Sequence, residues 1–154
     1  MIPARSPCDR LPSLPNAGDK EAEEMASRLS KDRAELQSQL LLQLVSPKSK
    51  QHQIVVAYLL GLYRMDGAVR DLADLITLEA EVRAQSKEAL WDVHPVAEAL
   101  IKIGRPSIPA MLENIKAAKG ENVTKLSVEV IQYVETPAIA KMILQDAIAK
   151  EKDP

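Results

Sequence analysis

The chain has 154 residues, with 20 basic and 22 acidic side chains and a formal net charge of −2. That balance leaves no global field to draw it to nucleic acid or to an anionic membrane surface, and the length corresponds to one domain able to bury a core. Hydrophobic residues make up 46%, yet aromatics are only 3% and Phe is absent, so the core is expected to be aliphatic, as in stacked helices rather than a β-sandwich.

Residues 1–18 hold Pro3, Pro7, Pro12 and Pro15 together with Asn16 and Gly18, and read as a disordered lead ahead of a helical-repeat domain over 19–150. The one cysteine, Cys8, lies in that lead and has no partner for an internal disulfide. No continuous apolar h-region marks a signal peptide. The longest apolar run, residues 54–63, is ten residues long, well short of the roughly 18 that a membrane span needs. A cytoplasmic location is the expectation.

Helix signals fill the rest of the chain and strand alternation is absent. A first helical region is predicted over about 19–45, with Met25, Leu29, Leu36, Leu40 and Leu44 at helical spacings. Ser46 and Pro47 predict the next start, Ser as cap and Pro at the first helical position. That second helix covers about 47–64, with Ile54, Tyr58 and Leu62 in one stripe and Val55, Leu59 and Tyr63 in the adjacent one. Together they form an apolar face wide enough to be gripped from two sides. After the turn at residues 65–67, where Asp66 can cap, a third helix is predicted over about 68–85, carrying Val69, Leu72, Ile76 and Ala80. Residues 86–95, SKEALWDVHP, read as an insertion before His94 and Pro95 restart the pattern. The fourth helix, about 95–103, shows Val96, Leu100 and Ile103 and stops at Gly104. A fifth begins near Ser107 with Ile108, Met111, Leu112 and Ile115, and closes at Gly120. A sixth, about 123–134, presents Leu126, Val130 and Val134; a seventh follows Thr136 and Pro137 with Ile139, Met142, Ile143 and Ala147. Short turns between all of these imply antiparallel neighbours.

The breaks repeat. Residues 64–69, 104–108 and 135–139 each form a tight corner followed by a helix that opens on an aliphatic residue, and Val69, Ile108 and Ile139 lie 39 and 31 residues apart. A two-helix unit of that size marks an α-solenoid. The stretch LLGLYRMDGAVRDLADLI, with Gly61, Ala68, Val69, Leu72 and Ile76, and the stretch ALIKIGRPSIPAMLENI, with Ala99, Leu100, Ile103, Gly104, Pro109 and Leu112, resemble HEAT-like repeats of the short bacterial, phycobilisome-lyase type. The resemblance covers about 54–118, and the third unit keeps only Pro137 and the apolar periods. It implies an all-α fold, a short α-α superhelix of about seven antiparallel helices, armadillo-like in character. Gly61 inside a helix costs about 1 kcal/mol relative to Ala, and is read either as tolerated or as the close approach of a neighbouring helix.

Chemistry finds little footing. The two histidines, His52 in KQHQ and His94 before Pro95, are not spaced as metal ligands with each other or with acids. HEAT-type iron hydroxylases carry His-Glu pairs, and this chain has no His-Glu dipeptide. There is no Gly-x-Ser-x-Gly, no dinucleotide fingerprint and no P-loop. Trp91, Asp92 and His94 cluster in the insertion, where packing of the Trp against the fold edge is favoured over a binding niche. Charge comes in blocks, with three bases over 48–64, seven acids against three bases over 66–92, and four bases against two acids over 98–120. Such blocks fit solvated helix faces, or rims that steer a charged partner.

The sequence therefore points to a non-enzymatic interaction module with no catalytic residues, no metal and no cofactor. Its predicted core contains Ile54, Leu59, Val69, Leu72, Leu100, Ile103, Ile108, Leu112, Val130 and Ile143. The partner is expected to be another protein, met on the polar faces around Arg70, Asp74, Asn114, Lys116 and Lys141. The alternative is a lyase-like or chaperone-type HEAT protein acting on another protein, such as one bearing a tetrapyrrole. A basic concave face for nucleic acid, as in helical-repeat glycosylases, is not expected at this net charge.

Overall fold

A computed structural model describes residues 20–81 and 93–152. The predicted lead over 1–18 with Cys8, the end of the predicted third helix, and Trp91 and Asp92 of the insertion lie outside the described residues, as does the side chain of Met25. Seven α-helices are found among the described residues: α1 (Lys20–Val45), α2 (Lys50–Leu62), α3 (Val69–Asp74), α4 (Pro95–Ile103), α5 (Ile108–Lys116), α6 (Glu121–Val134) and α7 (Pro137–Lys152). No strand occurs among them. The chain divides into two units, residues 1–35 and 36–154. In the first, the described side chains of α1 are exposed, Leu29 included, so the predicted apolar stripe is not buried there.

In the second unit, α2 packs on α4 and α4 on α6, while α3 packs on both α4 and α5; α5 also lies against α6, and α7 follows on α6. Helices α2, α4 and α6 thus neighbour one another in succession, as do α3 and α5. The corners explain why each helix stops and starts. Asp66–Ala68 and Arg105–Ser107 are both short 3₁₀ turns leading directly into α3 and α5. At an offset of 39 residues, Val69 and Ile108 open their helices, Ala68 and Ser107 are buried, and Leu72 and Met111 are both fully buried. The third corner departs from it, because α7 opens at Pro137 with no such 3₁₀ turn. Ser107 donates its hydroxyl at 2.6 Å to the Leu100 carbonyl, which also accepts the Gly104 N–H at 3.1 Å, so the second corner is tied to the last turn of α4. Arg105 forks onto Glu135 through Nε (2.5 Å) and Nη2 (3.1 Å), tying the second corner to the third with a carboxylate that is almost fully buried.

Gly61 receives the close-approach reading. A Cβ there would lie 2.6 Å from Ala99 Cα and 2.8 Å from Ala99 Cβ, so α2 and α4 cross backbone to backbone. That crossing rotates α2 relative to the predicted stripes. Its buried face is Val56, Ala57, Leu60 and Gly61, whereas Val55, Tyr58, Leu62 and Tyr63 are each 46–49% exposed. Small residues decided the face, because only Ala57 and Gly61 let the helices meet; apolarity alone cannot choose when α2 is apolar nearly all round. Tyr58 is then covered in part by Lys102, whose Nζ sits 4.5 Å from the ring centroid.

Three further expectations are corrected. Helix α2 begins at Lys50 rather than Pro47. Ser49 accepts the His52 N–H at 3.1 Å and His52 Nδ1 accepts the Lys48 N–H at 3.4 Å, a reciprocal closure that outcompetes Ser46. Helix α3 ends at Asp74 rather than near residue 85. The Ala73 carbonyl, which a continuing helix would offer to the Thr77 N–H, is taken by Asn114 Nδ2 at 3.0 Å, and Ile76 turns into the core. The Ala80 N–H donates to the Val93 carbonyl at 2.9 Å, so the chain returns near its departure point before α4. In α7 the buried residue is Ala140; Ile139 and Met142 of the predicted stripe are exposed, and Ile143 is half-buried. Of the ten predicted core residues, Val69, Leu72, Leu100, Ile103 and Val130 are buried, Ile108, Leu112 and Ile143 only pack at its margin, and Ile54 and Leu59 are half-buried.

Candidate functional site

The short helices α3 and α5 lie side by side because each follows the same kind of corner, and small residues on their facing sides let them approach. Ala73 on α3 faces Ala110 and, just past the helix, Ala117, with Asn114 between them. The result is a groove of about 310 Å³ with an alanine floor. Its rims carry charge of both signs. Arg70 reaches Glu113 at 3.6 Å, and Lys119 reaches Asp74 at 2.8 Å. Both pairs span the groove, the first from α3 to α5 and the second from the end of α3 to Lys119, three residues past the end of α5.

All four charged side chains are between 47% and 84% exposed. Exposed pairs of this kind contribute about 0–1 kcal/mol each, so their partners can be exchanged at little cost. The groove is therefore charged at its edges, with alanines and Asn114 at its base, and charge-alternating along its length. Nothing in its lining resembles a nucleophile with its base.

Of the five residues expected to face a partner, Arg70 and Asp74 line this groove. Lys116 and Lys141 are exposed on α5 and α7, and Lys141 lies in a separate, mainly apolar depression with Pro137, Ala140, Leu144 and Ile148. Asn114 is a correction. It is buried in the floor, holding α5 to the last turn of α3, and its periodicity could not distinguish a solvated amide from one that caps a neighbouring helix. Glu113 and Lys119 were missed by the sequence reading. For Glu113 a signal was available in the 39-residue offset, which puts it at the place of Asp74; Lys119 falls opposite Ala80 and has none.

Asn114→Ala is expected to destabilise the fold by about 1–3 kcal/mol, because it leaves the Ala73 carbonyl without its donor in a buried position. Chemical denaturation monitored by circular dichroism measures this. A loss below about 0.5 kcal/mol would show that water replaces the amide freely.

His52 is engaged at the start of α2, as above. Among the described residues no group of three or more His, Cys, Asp or Glu side chains is placed to hold a metal ion. His94 sits at the N-cap position of α4 without capping it through its side chain. It lines a small cavity with Thr77, Glu79, Asn122, Lys125, Leu126 and Glu129. No helix among the described residues is long and apolar enough to cross a membrane. No family model matches this chain, and neither the curated proteins nor the solved structures contain a significant match.

Proposed function

We propose that this chain is a non-enzymatic interaction module, a short HEAT-like α-solenoid that binds a partner protein across the α3–α5 groove. The repeat reading is supported by the common offset of the first two corners and by the two successions of neighbouring helices, α2, α4 and α6 in one and α3 and α5 in the other. Repeats of this kind present successive second helices as one continuous surface.

The observation that carries the binding reading is the pair of exposed ion pairs over an alanine floor. A segment laid in the groove meets the side chains of Ala73, Ala110 and Ala117 at its centre. At its edges Arg70 and Lys119 can take acids and Glu113 and Asp74 can take bases. Fixed charges of both signs give register and selectivity more than raw affinity.

The test compares the chain with a variant bearing Arg70→Glu and Lys119→Glu together. Because these side chains are exposed, the double variant is expected to keep its helical circular dichroism and its unfolding midpoint to within about 1 kcal/mol. A protein co-purifying with the parent chain at physiological salt should bind the variant at least tenfold more weakly in a titration with purified components. Equal binding by the two places the contact elsewhere and removes this reading.

A further inference from the structure

Helix α2 has two apolar sides, and the fold covers one of them. The inner side, Val56, Ala57, Leu60 and Gly61, is buried, with Gly61 against α4. The outer side is a seam of Gln51, Val55, Tyr58 and Leu62 along about three turns, or about 16 Å. Val55, Tyr58 and Leu62 are each close to half exposed, and Ile54 and Leu59, on either flank of the seam, are half-buried. None of these residues lines the α3–α5 groove. A helix that is apolar all round belongs in an interior, and an exposed apolar patch with a polar rim marks a contact site.

The charge around the seam selects its occupant. Residues 36–65 contain no Asp and no Glu. Lys48 and Lys50 stand exposed at the start of α2, and Arg64 is exposed just past its end. The first turn of α2 holds no acid, so the two lysines add to the positive end of the helix dipole. On the α4 side Lys102 lies over the Tyr58 ring and pairs with Glu98 at 2.6 Å, which leaves that edge neutral. The next acid in the chain, Asp66, accepts the Gly67 N–H at 3.0 Å beyond Met65. The face is thus apolar in the middle and basic at both ends. A second copy laid on it about a two-fold axis would set bases against bases, whether the two helices ran parallel or antiparallel. A helix surface also offers no open backbone edge for a strand to join, whereas side-chain ridges at this spacing accept another helix. We propose that the outer side of α2 binds an acidic amphipathic helix of another protein. Its apolar stripe covers Val55, Tyr58 and Leu62, and its carboxylates meet Lys48 and Lys50 at one end and Arg64 at the other.

The probe is a fluorescein-labelled peptide of about 18 residues, long enough to hold a helix, with leucines at i, i+4, i+7 and i+11 and glutamates toward both ends. Its control carries lysine in place of each glutamate. The full chain is titrated into each at physiological salt and the anisotropy is read. The acidic peptide should saturate with a dissociation constant on the order of 10–100 μM, at least about tenfold tighter than the lysine peptide. Val55→Glu with Leu62→Glu, checked for helical content, should weaken the acidic peptide at least about tenfold. Lys48→Glu with Lys50→Glu puts acids at the start of α2, where they favour the helix, and should weaken it at least about threefold; this variant decides the question if the first does not fold. No saturable binding of the acidic peptide, equal binding of the two peptides, or undiminished binding in a folded variant overturns the proposal. So does sedimentation of the chain with phosphatidylserine vesicles, lost in the Val55 and Leu62 variant, which gives the face to a membrane. Self-association in analytical ultracentrifugation, lost in the same variant, gives it to a second copy and overturns the proposal too. The chain with Arg70→Glu and Lys119→Glu should bind the acidic peptide as the parent does, so the groove reading and this one fail separately.

Discussion

Leu72→Ala should lower the free energy of unfolding by about 2–5 kcal/mol, while Leu112→Ala should cost clearly less, near or below about 1.5 kcal/mol. Both are leucines on the second helix of a unit, and on the apolar pattern alone they play the same part. The structure separates them. Leu72 is completely buried, in the core that α3 shares with α4 and α5. Leu112 is only partly buried and packs on the outside of that core. Truncating a fully enclosed leucine removes its transfer free energy and leaves a cavity that the neighbours cannot close. At the margin, solvent refills most of the space and only a part of the transfer term is lost. Against a total stability of roughly 5–15 kcal/mol for a domain of this size, the first change approaches unfolding and the second does not. Met111→Ala should behave like Leu72→Ala, since it occupies the matching place 39 residues on and is just as enclosed. Urea denaturation at 25 °C with a common slope measures the ranking. If Leu112 proves the costlier position, the alignment of α3 with α5 is wrong by one residue.

That one-residue question also shows what was legible in the sequence. The number of helices, their order and most of their ends could be read, because Ser, Pro and Gly mark them by mechanisms that act within a few residues. Gly104 at φ 88° stops α4, Gly120 at φ 139° precedes α6, and Pro95 and Pro137 open their helices. Which face of a helix is buried was legible only where the helix has one apolar side. Helices α4 and α5 do, and there the buried set includes Val96, Leu100, Ile103 and Met111, as the spacing indicated. Helix α2 is apolar nearly all round, so its orientation was set by a tertiary fit, the close approach of Gly61 to Ala99 with Ala57 buried one turn before it. Tertiary hydrogen bonding likewise escaped the local pattern. Asn114 looked like a solvated residue on a polar face, yet it ends α3 from 41 residues away. The groove itself was partly visible, through Arg70 and Asp74. Its other rim depended on knowing that α3 and α5 run alongside one another.

Gly61→Ala is the sharper test of that tertiary fit, because two well-understood effects oppose each other. Replacing a helical glycine by alanine normally stabilises by about 1 kcal/mol through helix propensity and a less flexible unfolded chain. Here the new methyl would stand 2.6 Å from Ala99 Cα and 2.8 Å from Ala99 Cβ. Neither atom is the loose end of a side chain, so α2 and α4 must move apart, and forced overpacking in a close-fitting core costs about 1–3 kcal/mol. The shift also disturbs Val56, Leu60, Val96 and Leu100, all buried beside the crossing. The clash should win, giving a net loss of about 1–3 kcal/mol and a correspondingly lower thermal midpoint, with Gly61→Val worse again. A second substitution identifies the cause. Ala99→Gly in the Gly61→Ala background removes the contact with Cβ but leaves the one with Cα, so it should recover part of the loss and never all of it. The double-mutant cycle should therefore show a coupling of at least about 0.5 kcal/mol between positions 61 and 99. An unchanged or raised stability for Gly61→Ala would mean that α2 and α4 do not cross in contact at this point, and the placement of Tyr58 and Leu62 on the outside of the fold would lose its basis.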